Sequence, residues 1–250
     1  MRLHMFAGQT PEGCFINIDD GLVVSSPEFC FLQMASLLPL AGLIVLGYEM
    51  CGTYSMPVAG DMTVPERGFY KRRPLTSVKK IEAFLGRMAG AKGHQNATKA
   101  LRYILEGSAS PMETKLSIIL TLPYKLGGFG FSKPVLNWRV APSKTGKRFS
   151  GKESYVCDLF WPDHDLAVEY DSALFHSGQG QYVDDAMKRA ELLKKGITVI
   201  TVTKQQLYSR KEFETIAAAI AKSLGKRLRY ENKPGFADAH HGLHRLLFDV

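Results

Sequence analysis

An α/β protein with a mixed (α+β) sheet is predicted from three observations. The first hundred residues carry helical patterns and little strand signal. From Ser110 onward the order becomes helix, three strands, helix, strand, helix. Within that second part, ITVITVT (197–203) is a short, nearly continuous apolar strand of the kind buried on both faces. The expected organisation is a mainly helical region over 1–107, an αβββαβα domain over 108–230, and a tail over 231–250.

The elements follow in order. Residues 1–24 read as irregular chain with one short β segment, CFINI, before DDGLVV. Ser26-Pro27-Glu28 opens a helix, with serine as cap and proline at the first helical position. Phe29, Leu32, Met34, Ala35 and Leu38 give that helix an apolar face. A second helix covers Leu40 to Cys51, and a Gly/Pro-rich loop then runs to the basic cluster Lys71-Arg72-Arg73. Thr76 caps a third helix that closes at Gly90, and ATKALRYILE forms a fourth, stopped by Gly107.

Ser110-Pro111-Met112-Glu113 starts the next helix, which ends near Leu122 and is closed off by Gly127, Gly128 and Gly130. VLNWRV, ESYVCDLFW and LAVEYDS have the β-branched and aromatic content of strands. A polar helix spans roughly Val183 to Lys195, and FETIAAAIAKSLG is helical after the apolar strand. The tail with His240, His241 and His244 carries no assignable pattern.

Composition narrows the function classes. The chain has 250 residues, 45% hydrophobic and 22% charged, with net charge +8. That is an ordinary globular composition, and its basic balance favours a polyanionic partner through counterion release. Cys14, Cys30, Cys51 and Cys157 have no metal-ligand spacing, which excludes a zinc ribbon and a disulfide framework and suits a reducing cytoplasm. Pro39 and Gly42 interrupt the apolar stretch from Leu37 to Val45, which is too short to span a bilayer. A soluble, cytoplasmic protein without membrane contact is expected.

The chemistry is concentrated between Tyr155 and Asp171. Two strands flank a polar turn, Pro162 to Asp165, and a symmetric hairpin about that turn sets Asp158 opposite Glu169. Cross-strand partners place their Cβ atoms about 5 Å apart on one face. Asp171, two residues beyond Glu169, shares that face. Three converging carboxylates are costly without a counter-charge. A hard divalent cation such as Mg²⁺ answers that need and would polarise a phosphoryl oxygen for hydrolysis. The alternative is a pair of surface carboxylates on exposed strands. The metal reading requires both groups on one side of the sheet and neither already neutralised by a lysine or arginine.

Asp158, Trp161-Pro162, Leu166 to Asp171, His176, Asp185 with Arg189, and Gly196 with Val199-Ile200 together form a pattern. It resembles the very-short-patch-repair-like branch of the PD-(D/E)XK nuclease superfamily. More narrowly, the chain is similar to endonuclease-like actinobacterial proteins whose nuclease domain opens with a Ser-Pro-x-Glu helix, as at Ser110 to Glu113. The likeness covers about 108–225. It implies a restriction-endonuclease-like core and Mg²⁺- or Mn²⁺-dependent cleavage of DNA. Asp158 and Glu169 would be the metal ligands, with the Tyr170 carbonyl as a further oxygen.

Asp171 stands where most of the superfamily has a lysine that orients the attacking water, so the general base is open. His176 would fill that role or protonate the leaving group; equally it reads as a loop histidine. Glu113 either reaches the metal or completes a capping box. Asp185 and Arg189 read as an i,i+4 ion pair or, with Lys188, as a phosphate contact. Lys147, Arg148 and Lys152 grip a DNA backbone or form a solvated loop. Gln205-Gln206 reaches base edges or ends the strand. Region 1–107 resembles abortive-infection antitoxins through Asp20 to Glu28. An endonuclease, acting as a homodimer where both strands are cut, is the leading expectation. A catalytically inactive DNA-binding or antitoxin-like regulator is the alternative.

Overall fold

The computed structural model describes residues 8–248 other than 9, 20, 59, 62, 66, 172–178, 231 and 232, with backbone alone for 179–182. The chain is a mixed α/β protein that divides into two compact units, 1–114 and 115–250.

In the first unit, β1 (Phe15–Asp19) and β2 (Leu22–Ser25) form an antiparallel hairpin leading into α1 (Pro27–Ala35). The Ser26 hydroxyl accepts from the Phe29 amide at 3.3 Å, which is the cap that the Ser-Pro-Glu start requires. α2 (Leu40–Cys51) follows, then the two-residue strands β3 (Tyr54–Ser55) and β4 (Tyr70–Lys71), α3 (Val78–Gly86) and α4 (His94–Leu101). The cap of α3 is Ser77, one residue later than expected. Thr76 instead turns its hydroxyl to Glu28. Phe29, Phe31, Leu32, Leu43, Ile44, Tyr48 and Ile81 are fully buried and make this unit's core.

The boundary between the units lies between Thr114 and Lys115, inside α5 (Pro111–Thr121), rather than at the glycine that ends the fourth sequence helix. The buried Leu116, Ile118, Ile119 and Leu120 belong to the second unit. Then come β5 (Val135–Val140), α6 (Lys144–Ser150), β6 (Tyr155–Trp161), β7 (Leu166–Asp171), α7 (Gln179–Lys194), β8 (Thr198–Thr203), α8 (Lys204–Tyr208), α9 (Arg210–Ser223) and α10 (Phe236–Phe248). The four strands are ordered β5-β6-β7-β8. The first three are antiparallel, and β8 is parallel to β7 through the α7 crossover.

The expected C-terminal tail is a packed helix. α10 sets Phe236 edge-on to Tyr124, and the fully buried His240 bonds through Nδ1 to the Gly127 carbonyl at 2.6 Å. Burial holds the His240 imidazole below its ordinary pKa, so this contact uses the neutral ring. Among the described residues no helix is long and apolar enough to cross a membrane.

Candidate functional site

The hairpin of β6 and β7 sets the site. Its turn is a short 3-10 segment, Pro162–His164, closed by Asp165 in the left-handed region at φ 44°. The register is Trp161↔Leu166, Phe160↔Ala167 and Leu159↔Val168. The paired register ends there, one step short of Asp158 and Glu169, which the symmetric hairpin sets opposite each other. The ladder of β5 on β6 pairs Leu136 with Leu159 and Trp138 with Cys157, passing over Asn137 and Asp158. Asn137 is left-handed, at φ 51°. At this break the Asp158 carboxylate turns to the hairpin, where Oδ2 accepts from the Tyr170 amide at 2.8 Å.

Below this point Phe160, Ala167, Leu192 and Ile197 form an apolar cluster that seats α7 on the sheet. Above it the same side becomes polar. A cavity of about 190 Å³ is lined by Asp158, Glu169 and Asp171 from the strands and by Asp185, Lys188 and Arg189 from α7, with Val199 and Thr201 on β8. The two expected ligands and Asp171 therefore open into one space. Among the described residues four carboxylates and two cations line it, an imbalance that favours a positive charge there.

The second requirement of the metal reading is not met for Glu169. Its Oε2 pairs with Lys188 Nζ at 2.7 Å, with the glutamate and lysine side chains 13% and 22% exposed. Its other oxygen, Oε1, is buried with no hydrogen-bond partner. Such an atom is unfavourable in a closed fold, and the Cys157 thiol is the donor that lies beside this carboxylate. Lys188 was read from the sequence only as a phosphate contact; its position over Glu169 depends on how α7 crosses the sheet. Among the described residues no group of three or more His, Cys, Asp or Glu is arranged to hold a metal ion. As it stands Glu169 is occupied by Lys188, so an ion at this pair would have to displace that ammonium and complete its shell largely with water.

The neighbouring thiol and phenol are silent at neutral pH. Burial, then the Glu169 charge, pushes the Cys157 thiol up to about 12. Burial, followed by Tyr208 and Asp171, pushes the Tyr170 hydroxyl up to about 12. Neither supplies a nucleophile under physiological conditions.

The remaining expected residues fall as follows. Glu113 belongs to the first unit; its Oε2 accepts from the Ala109 amide at 2.8 Å while Ser110 Oγ accepts from the Glu113 amide, a capping arrangement. It is not among the residues lining the cavity. His176 lies outside the described residues. Asp185 and Arg189 both line the cavity and do not form the i,i+4 ion pair. Gln206 completes a capping box with Thr203 at the start of α8, so it ends the strand. Lys147 pairs with Glu153 and Lys152 with Asp184.

No family model matches the chain, and no solved structure matches it. Similarity is found to two curated relatives, the uncharacterized proteins MT2308 and Rv2248 of Mycobacterium tuberculosis strains CDC 1551 and H37Rv. Each is 25% identical over 146 residues, 58% of this chain and 48% of the relative. The chain thus spans about half the length of the curated relatives it matches.

Proposed function

We propose that the second unit is a restriction-endonuclease-like domain of the very-short-patch-repair-like kind that cuts DNA with Mg²⁺ or Mn²⁺. The observation that carries this reading is that Asp158, Glu169 and Asp171 open into one cavity where, among the described residues, carboxylates outnumber cations. Asp158 and Glu169 would hold the ion, with the Tyr170 carbonyl alongside. When bound, the ion supplies Lewis-acid polarisation of the phosphoryl group and acidifies water.

The protein's own groups supply the rest. Lys188 brings an ammonium to Glu169 from α7, although Asp171 occupies the strand position where the superfamily resemblance places a lysine. It thereby offers the positive charge that stabilises a developing phosphorane and orients an incoming water. Arg189, on the adjoining face of α7, is placed to hold a non-bridging phosphate oxygen. The base remains with His176 or with a substrate phosphate. The setting this implies is the cytoplasm, with two copies of the chain needed to cut both strands.

One observation favours a second reading. The Lys188–Glu169 pair already neutralises part of the site, as it would in a regulator that keeps the fold and binds DNA without turnover. Nicking of supercoiled plasmid in Mg²⁺ or Mn²⁺ separates the two. The nuclease reading expects nicking by wild type, none by Asp158→Ala, and none after chelation. No nicking by either protein, with salt-sensitive DNA binding by both, establishes the regulator.

A further inference from the structure

The segment joining β5 to β6 is a built fixture rather than a solvated loop. Ser143 caps α6, its Oγ accepting from the Gly146 amide at 3.0 Å, and Gly151 closes the helix in the left-handed region. The helix is anchored on α7 through Glu191, which is only 4% exposed. The Ser143 amide donates to Glu191 Oε2 at 2.7 Å. Gly146 packs so closely on that carboxylate that an added Cβ would lie 2.4 Å from its carboxyl carbon. Lys152 adds a second tie to α7, pairing with Asp184 at 2.8 Å.

What this anchoring holds out is an aromatic ring among cations. Phe149 is 76% exposed, and Lys144, Lys147 and Arg148 are exposed beside it. Lys147 is occupied by Glu153, whereas Lys144 and Arg148 have no acidic partner among the described residues. The location is also informative. β6 and β7 are antiparallel, so the start of β6, where α6 delivers the chain, lies at the same end of the sheet as the end of β7. That is the end carrying Asp158 and Asp171. The adjoining face of α7 contributes Asp185, Lys188 and Arg189 to the cavity.

We infer that α6 is a single-strand contact in which Phe149 stacks on an unpaired base while Lys144 and Arg148 hold the flanking phosphates. The substrate of the adjoining site is then single-stranded or locally unpaired DNA rather than uninterrupted duplex. Every base presents a π-face, and a lone exposed ring flanked by cations is the arrangement that single-strand grooves use. This deepens the DNA-cutting reading and rests on it for the substrate, but not for the binding.

The test is binding of the full chain to a labelled thymidine strand of about 20 nucleotides and to a duplex of equal length. It is run in chelator across a salt series, so that cutting plays no part. Phe149→Ala should weaken single-strand binding about tenfold or more. It should leave duplex binding and the salt slope as in wild type, and Phe149→Trp should restore affinity. Lys144→Ala with Arg148→Ala should flatten the salt slope by about 1.4. Phe149 and both cations are exposed, so these variants retain the fold, as circular dichroism would register.

Unchanged single-strand affinity in Phe149→Ala overturns the proposal. So does an equal loss on duplex, or a Phe149-dependent affinity confined to vesicles containing phosphatidylserine. A Phe149-dependent single-strand affinity without cutting of either supercoiled plasmid or single-stranded circular DNA in Mg²⁺ or Mn²⁺ would remove the nuclease reading and leave this surface standing. Nicking with no Phe149 effect would do the reverse.

Discussion

The two units of this chain use their polar side chains for opposite purposes. In the first unit they close the backbone on itself. Asn96 donates to the carbonyls of Ala35 and Leu38, Glu106 accepts from the Val78 amide, and Glu113 accepts from the Ala109 amide. Each replaces a partner that a helix end lacks. In the second unit, Asp158, Glu169, Asp171 and Asp185 gather around one cavity, and one of their oxygens is buried without a partner. Groups of the first kind contribute to stability. Groups of the second kind cost stability and are explained by what they are kept for.

That contrast can be broken most directly at Asp158. Asp158→Asn keeps an oxygen for the Tyr170 amide and removes the charge. Nicking should fall by more than the roughly 10–100-fold typical of a ligand's outer partners, while the melting temperature stays at or above that of wild type. A clear drop in melting temperature would put Asp158 among the fold-closing groups. Away from the cavity the second unit should behave like the first. Gly127 has φ +87°, and a Cβ there would lie 2.3 Å from the Ala239 carbonyl oxygen. Gly127→Ala should therefore cost about 3 kcal/mol or more in denaturant titration.

Asn96→Ala, in the first unit, leaves two carbonyls unmet and should cost about 2 kcal/mol with nicking unchanged. A smaller effect is expected at the site itself. Glu169→Leu combined with Lys188→Met should raise stability by about 1 kcal/mol, whereas Lys188→Met alone should lower it. The smallest effect is a pH dependence at Glu191. Lys194 first, then the Ser143 amide, holds its carboxyl down to about 2 from an ordinary 4.5. An acid with a lowered folded pKa stabilises above its unfolded value and loses that contribution as pH falls toward 2. Wild type should therefore lose melting temperature relative to Glu191→Gln between about pH 4.5 and 2, and parallel curves would remove the assignment.

The parts legible in the sequence were those decided locally. The turn from Pro162 to Asp165 sets the hairpin register from Trp161↔Leu166 to Leu159↔Val168 without reference to the rest of the chain. Ser26 and Ser110 cap as their neighbours indicate. What escaped depends on tertiary contacts. α6 has a glycine in its first turn and only seven residues, so it reads as a loop until Glu191 is seen to seat it. α10 hides because its buried stripe, Phe236, His240, Leu243 and Leu247, contains a histidine, which looks polar until the ring is found bonded to Gly127. Lys188 sits on a polar helix where most lysines are solvated, and only the crossover brings it over Glu169.

That crossover has a mechanical consequence. α7 links two parallel neighbours, β7 and β8, whose register runs from Leu166↔Thr198 to Asp171↔Thr203. α7 carries both Asp184 and Glu191, which hold α6, and Asp185, Lys188 and Arg189, which line the acidic cavity, so one helix spaces the two.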